Sequence, residues 1–504
     1  MIPSFSHPAL QALQQQLEDE LDFLCLPEAP WMPGRIFNRH PILDVAIIGG
    51  GMAGLTAAAA MKFAGIANTR IYDGAPAGAE GPWATHARMQ TLRSPKDLTG
   101  PALGIPALTF RAWYTRIHGR AGWEALDRIP RLVWHDYLQW YRQALALPVN
   151  IHHRLQNIES IQAPGLAVPI ARLTFSVGTE GEQHVAYARH VVLATGMDGL
   201  GGANIPAAFT NLERRFWRHS SEVFDFAALA SRHIAIVGGG DSALDAASTA
   251  LEAGAARVDI YVRSNDFSQI NYWKGFTHSG HRHGYALLSK EQKAQTLGFL
   301  LGNATPPARG TLQRLRDAKN LYIHFGQETD GFLAQDDKLV FHSNGKPQAA
   351  DFLILATGYK TDLQKRPELH GLLPHIRFFE AGALGGQLPE ASQTIPQLDA
   401  DFSFQSATAE GEPFLSRIHC FTGQALLSVG KVCGDIPGIS VGAQKLTQGI
   451  VGKLYQAEHE WQYEALTRYD EQEITDAALH ALRRQTAPGD SLAEASVLFD
   501  EPAQ

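Results

Sequence analysis

The chain has 504 residues, 45% hydrophobic and 19% charged, with a formal net charge of −8; this suits two to three soluble domains with substantial cores and excludes a disordered polymer. An acidic balance without a Lys/Arg-rich run argues against nucleic acid or an anionic membrane as partner. Three cysteines, Cys25, Cys420 and Cys433, form no close pair, so no disulfide framework or C-x-x-C motif is available and a reducing cytoplasm is expected.

Leu10, Leu13, Leu17 and Leu21 recur at helical spacing beside Glu18, Asp19 and Glu20. They predict a helix lying on the body of the protein, within an N-terminal extension of residues 1–43 that lacks the basic start and apolar run of a secretory signal. DVAIIGGGMAGL follows from Asp44. Its apolar strand enters a Gly-rich turn and a small-residue helix, which lets backbone N–H groups approach a phosphate at the helix N-terminus. Gly49, Gly51 and Gly54 mark this dinucleotide turn, and the Gly- and Ala-rich run with Lys62 reads as strand-turn-helix, not as a membrane span. TRIYDGAP then places Asp73 at a strand end, where a carboxylate accepts from the ribose hydroxyls of an adenosine without a 2′-phosphate, so FAD fits. HVVLATG closes the unit, with Thr195 in its small-residue end.

The same order repeats. HIAIVGGGDSAL from His233 gives Gly238, Gly240 and Ser242, with Ala243 in place of the third glycine. VDIYVRSND places Arg263 and Ser264 where a guanidinium pairs with a 2′-phosphate, which points to NADPH over NADH. DFLILATG ends at Thr357 and Gly358. These landmarks predict an α/β fold of two doubly wound, Rossmann-like domains, with an NADPH domain (205–360) inserted in an FAD domain (44–204 and 361–455). A helical tail (456–504) follows, loosely held from residue 487.

Residues 44 to about 455 resemble the NADPH-dependent flavin monooxygenases, a group that includes flavin-containing monooxygenases, Baeyer–Villiger monooxygenases and amine N-hydroxylases. GPWATHARM, from Gly81, is similar to the Gly-x-Trp segment these enzymes place near the flavin, which implies Trp83 as a cofactor residue. DFLILATGY fits the Asp-x3-Leu-Ala-Thr-Gly-Tyr motif of the N-hydroxylases, with Gln364 where theirs has His or Pro. The stretch from Met89 to Phe110 is similar to their Met-Gln…Lys-Asp-Leu…Phe stretch, with one extra residue before Lys96. The resemblance carries over Gln90 and Lys96 as catalytic groups near flavin and substrate: an amide donates and accepts, and an ammonium holds an anionic peroxide or carboxylate. WRHSSEV, around His219, lacks the Phe-x-Gly that precedes the histidine in flavin-containing and Baeyer–Villiger enzymes, which puts N-hydroxylation ahead. The resemblance implies hydride transfer from NADPH to FAD, capture of dioxygen as a C4a-hydroperoxyflavin, and transfer of one oxygen atom to a small-molecule nucleophile, a primary amine first.

In INYWKGF, Lys274 offers a second cation for the 2′-phosphate and Asn271 can reach nicotinamide or substrate, against a plain loop role for each. His278, His281 and His283 lie close in sequence but have no Cys or carboxylate pair beside them, so no metal is expected. CGDIPG places Gly434 and Asp435 ahead of a helix from about Val441. Related flavoproteins set such a pair against the FAD ribityl-pyrophosphate, and helix capping explains the aspartate equally well. Baeyer–Villiger or S-oxygenation, a flavin reductase or dehydrogenase without oxygen transfer, and a non-catalytic dinucleotide sensor remain as alternatives. The oligomeric state, including a homo-oligomer, stays open.

Overall fold

The computed structural model describes residues 8–379 and 394–485; the end expected to be loosely held lies outside them. Residues up to Ala457 form one compact unit, and those from Glu458 a second, which holds the helices His459–Thr467 and Asp476–Gln485. Among the described residues no helix is long and apolar enough to cross a membrane.

In helix α1 (Pro8–Phe23) the leucine stripe faces inward, with Leu10, Leu13 and Leu17 buried. The first sheet is built from β1 (Ile36–Phe37), β2 (His40–Ile48), β3 (Thr69–Tyr72), β4 (Val149–Asn150), β5 (His153–Ile161), β6 (Ile170–Val177) and β7 (Glu182–Leu193). Its order is β4-β3-β2-β7-β6-β5, and β1 pairs with β2. Strands β4, β3, β2 and β7 run parallel, whereas β5, β6 and β7 form an antiparallel meander. Helix α2 (Met52–Phe63), Ala-rich and buried on nearly every side, makes the crossover between the parallel strands β2 and β3.

After the short β8 (Gly201–Ala203) the chain builds a second sheet. It contains β9 (Trp217–His219), β10 (His233–Val237), β11 (Arg257–Val262), β12 (Leu321–Phe325) and β16 (Phe352–Leu355), with α5 (Asp241–Glu252) after β10. Its order, β12-β11-β10-β16-β9, is parallel throughout. A separate antiparallel sheet of β13 (Thr329–Gln335), β14 (Lys338–Ser343) and β15 (Lys346–Ala350) precedes β16. The chain returns through β17 (Tyr359–Thr361), which pairs antiparallel with β8, so exit and re-entry lie side by side. It then adds β18 (Ile418–Cys420) parallel to β7 of the first sheet. The fold is therefore α/β, with two Rossmann-like sheets, the second inserted in the first.

The repeated landmarks have one physical cause. A Cβ on Gly49 would lie 2.3 Å from the Ala194 carbonyl oxygen, and a Cβ on Gly238 would lie 2.3 Å from that of Ala356. Each Gly-rich turn thus rests on the Ala-Thr-Gly end of the neighbouring strand, with φ of +114° and +139° at the two glycines that bulkier residues rarely adopt.

Candidate active site

At the carboxyl ends of β2, β3 and β7, where the strand order reverses, lies a cavity of about 990 Å³. Gly49, Gly51, Asp73, Trp83, Thr195 and Asp435 line it, so the structure brings six of the residues read from the sequence to one place. Gly54 lies behind them: a Cβ there would sit 1.9 Å from the Gly49 carbonyl oxygen, so its lack of a side chain lets α2 pack on the turn. The Asp73 carboxylate receives the N–H groups of Gly50 at 2.6 Å and Ala75 at 2.7 Å, while burial raises its pKa above the ordinary carboxylate value. Asp435 is raised by burial as well and pairs with Lys431 at 3.4 Å. It stands before a helix of residues Ile439–Ala457, two residues earlier than the expected start.

Gly51 is informative because the fold does not require it. Its φ is −73°, and a Cβ would come no nearer than 3.7 Å, to the Cα of Gly81. Helix α2 starts there without a side-chain cap, so its first N–H groups are available to an anion. An open notch at an uncapped helix start, with a carboxylate at the next strand end, fits a dinucleotide.

The second turn shows the same division. A Cβ on Gly239 would meet Val262 at 2.5 Å, whereas one on Gly240 meets nothing within 4 Å. Helix α5 also starts without a side-chain cap. Arg263 directly follows Val262 and is exposed, as is Lys274; among the described residues neither side chain makes a hydrogen bond or ion pair. Ser242 is exposed and Ala243 fully buried. The Ser264 hydroxyl donates to the Asp266 carbonyl at 2.9 Å, which closes a local turn. Thr357 donates to the Asn204 carbonyl, and the Gly358 carbonyl accepts from Asn204 N–H at 2.9 Å. Asn271 precedes the short helix Tyr272–Gly275, its Oδ1 buried without a partner among the described residues; Trp273, two residues on, lines the large cavity.

The two residues carried over as catalytic stand elsewhere. Lys96 donates to the carbonyls of Trp123 (2.6 Å) and Leu126 and lies 4.9 Å from the Trp123 ring, so it closes the end of the helix Phe110–Ala125. Gln90 lines a smaller cavity of about 460 Å³. Neither side chain faces the large cavity. Of the three histidines, His278 Nδ1 accepts from the His281 N–H, and His281 Nε2 accepts from the Lys431 N–H at 3.2 Å. Among the described residues no group of three or more His, Cys, Asp or Glu is placed to hold a metal ion.

Sequence reasoning missed His86, Asp198, Arg154, Lys365 and Trp273 on the cavity wall. Of these, His86 in GPWATHARM and Trp273 in INYWKGF lie in stretches already singled out. Burial, then the neighbouring Arg88, pushes His86 below its ordinary value, so its imidazole is neutral at pH 7.

The sequence model of the pyridine nucleotide-disulphide oxidoreductase family matches residues 43–373. The chain belongs to this family. It is 34% identical over 469 residues to an FAD-dependent urate hydroxylase of Xanthomonas campestris pv. campestris, covering 92% of this chain and 97% of the relative. Among solved structures it is similar to an ornithine N-hydroxylase of Kutzneria sp. 744, with TM-score 0.64, 18% identity and coverage of 82% of this chain and 100% of that one. An ornithine hydroxylase from Pseudomonas aeruginosa gives TM-score 0.62 and 16% identity over 82% and 99%. At such identities these likenesses show the fold.

Proposed function

We propose that the chain hydroxylates a small, planar, nitrogen-rich substrate of the urate type. The observation that carries this is the near-full-length identity to a urate hydroxylase, joined to a cavity large enough for a dinucleotide and a small ring. The chain is an NADPH-dependent flavoprotein monooxygenase, with FAD and NADPH as cofactors and dioxygen as co-substrate. Bound FAD, once reduced by NADPH, supplies the oxygen chemistry.

The chain's own groups do the rest. Gly49 and Gly54 let the first turn pack on the strand end and the helix, Gly51 leaves it open to the pyrophosphate, Asp73 takes the ribose, and Trp83, Thr195 and Asp435 wall the cavity. Gly238, Gly240, Ser242 and Ala243 form the NADPH turn, with Arg263 and Lys274 as free cations for the 2′-phosphate. The neutral His86 imidazole can take a proton from an acidic ring N–H. Residues 44–204 and 361–455 serve FAD and 205–360 serve NADPH. The buried thiols Cys420 and Cys433 suit the reducing cytoplasm in which we place the protein.

N-hydroxylation of a primary amine is the second reading, favoured by the DFLILATGY motif and the fold shared with ornithine hydroxylases. The deciding experiment is NADPH oxidation under ¹⁸O₂ with urate, ornithine or lysine, with hydrogen peroxide measured alongside. One ¹⁸O in the urate product is expected. Label in a hydroxylamine, with urate yielding only peroxide, would replace the first reading by the second.

A further inference from the structure

The second cavity adjoins the first, for Thr85 and Val223 line both. Its charged lining is Arg88, Arg131, Arg314 and Glu252. Two of the guanidiniums are committed. Arg88 donates to the carbonyls of His86, Ser220 and Glu222 and lies over the rings of Phe224 and Phe226. Arg314 forks onto Glu252 through two bonds of 2.8 Å and meets Asp245 at 3.4 Å.

Arg131 is different. Among the described residues its guanidinium donates to the Trp83 carbonyl alone, and no carboxylate pairs with it. Burial and the neighbouring Arg314 both depress its pKa. A partly buried guanidinium with free donors and no counter-ion is suited to an oxyanion, whose two oxygens match the planar fork. Gln90 stands beside it: its backbone carbonyl accepts from the Arg131 N–H at 3.0 Å, and its amide is held by one 3.4 Å contact to Glu252. An amide offers a donor and an acceptor together, the complement of a ring edge with C=O next to N–H. The nucleotide is a poor candidate for this space. Thr249 and Glu252 on its wall belong to the last turn of the 12-residue α5, about 12–17 Å along the axis from its first residue, Asp241.

We propose that this second cavity is the recognition subsite for an anionic planar nitrogen heterocycle, Arg131 pairing with its oxyanion edge and Gln90 with the adjacent C=O/N–H edge. The subsite rests on the urate-type reading above. Thr85 and Val223 mark the wall across which the held substrate faces the large cavity.

The test is calorimetric titration of oxidised holoenzyme with urate and with an uncharged N-methylated oxopurine, in parallel with urate turnover. Arg131→Gln should weaken urate binding by about tenfold or more, while the uncharged ligand changes by less than about twofold. Arg131→Lys, which keeps the charge but loses the fork, should weaken urate less. Gln90→Leu should weaken both ligands, and KM for urate should follow the binding constant while kcat moves less. Unchanged urate binding in Arg131→Gln, or equal loss for charged and uncharged ligands, would overturn the subsite. Urate that binds through Arg131 without being hydroxylated would sink the proposed reaction and leave the subsite standing. Urate hydroxylated with a KM indifferent to Arg131 would do the reverse, and wild-type holoenzyme that does not bind urate would overturn both.

Discussion

Replacing Gly51 by alanine separates what the fold needs from what the ligand needs. Side chains at Gly49 and Gly54 collide with backbone, at 2.3 Å from the Ala194 oxygen and 1.9 Å from the Gly49 oxygen. At Gly51 the nearest atom is 3.7 Å away, and φ is −73°. Gly51→Ala therefore leaves the chain's own packing intact, and its cost falls on whatever approaches the uncapped start of α2. Losing two charge-assisted hydrogen bonds from those N–H groups to a phosphate, at about 1.5–3 kcal/mol each, weakens binding by about 3–6 kcal/mol. That is roughly 10²- to 10⁴-fold. The variant should purify as folded, nearly colourless protein that melts with wild-type apoprotein, and a fluorescence titration with FAD should return the weakened constant. Gly54→Val should fail to fold. Full yellow occupancy in Gly51→Ala would refute the reasoning, as would its aggregation, which would make the glycine a requirement of the fold.

Arg263→Ala should raise KM for NADPH by roughly ten- to hundredfold, the equivalent of a charge-assisted pair, and leave NADH kinetics nearly unchanged; equal losses would assign Arg263 to the fold. Lys96→Met should lower stability by about 1–3 kcal/mol in urea denaturation through the lost bonds to the Trp123 and Leu126 carbonyls, with the hydrogen peroxide yield unaltered. A changed peroxide yield at unaltered stability would return Lys96 to the chemistry. The buried rings of His190 and His419 meet at 3.0 Å, and burial holds both below the ordinary value of 6.5, His419 at about 4. Between those values the unfolded chain binds protons that the fold refuses. Stability is therefore complete above pH 6.5 and falls toward pH 4, by on the order of 3 kcal/mol for His419; a denaturation midpoint constant over that window would contradict this.

The parts of the site legible in the sequence are those enforced by contacts between adjacent elements. Gly49 and Gly238 each touch the alanine carbonyl of an Ala-Thr-Gly strand end, so the pairs of motifs recur together. Asp73 and Arg263 follow strands that lie beside the turns, which fixes their place by the length of one strand. His86, Arg154, Lys365 and Trp273 obey no such rule. They come from a loop, the antiparallel meander, the return segment and the inserted domain, and only the three-dimensional closure of those pieces sets them on one cavity. Gln90 and Lys96 rest on a family resemblance that has one extra residue before Lys96. In that stretch Lys96 contacts the end of the helix Phe110–Ala125 and Gln90 the smaller cavity.

The same stretch bears on the acid beside the second Gly-rich turn. Asp241, in the first turn of α5, complements the helix dipole and puts a negative charge beside the Gly-rich turn. Arg93 of the first domain pairs with it and also donates to the Pro306 carbonyl at 2.8 Å. Arg88, five residues earlier, is bound to carbonyls of Ser220 and Glu222, and Gln90 reaches Glu252 at the far end of the same helix. One loop of the first domain thus grips α5 at both ends while its beginning, at Thr85 and His86, walls the large cavity. The cation paired with Asp241 is therefore supplied by the same loop that walls the large cavity, while the Ala308 N–H of the inserted segment donates to its other oxygen at 3.0 Å.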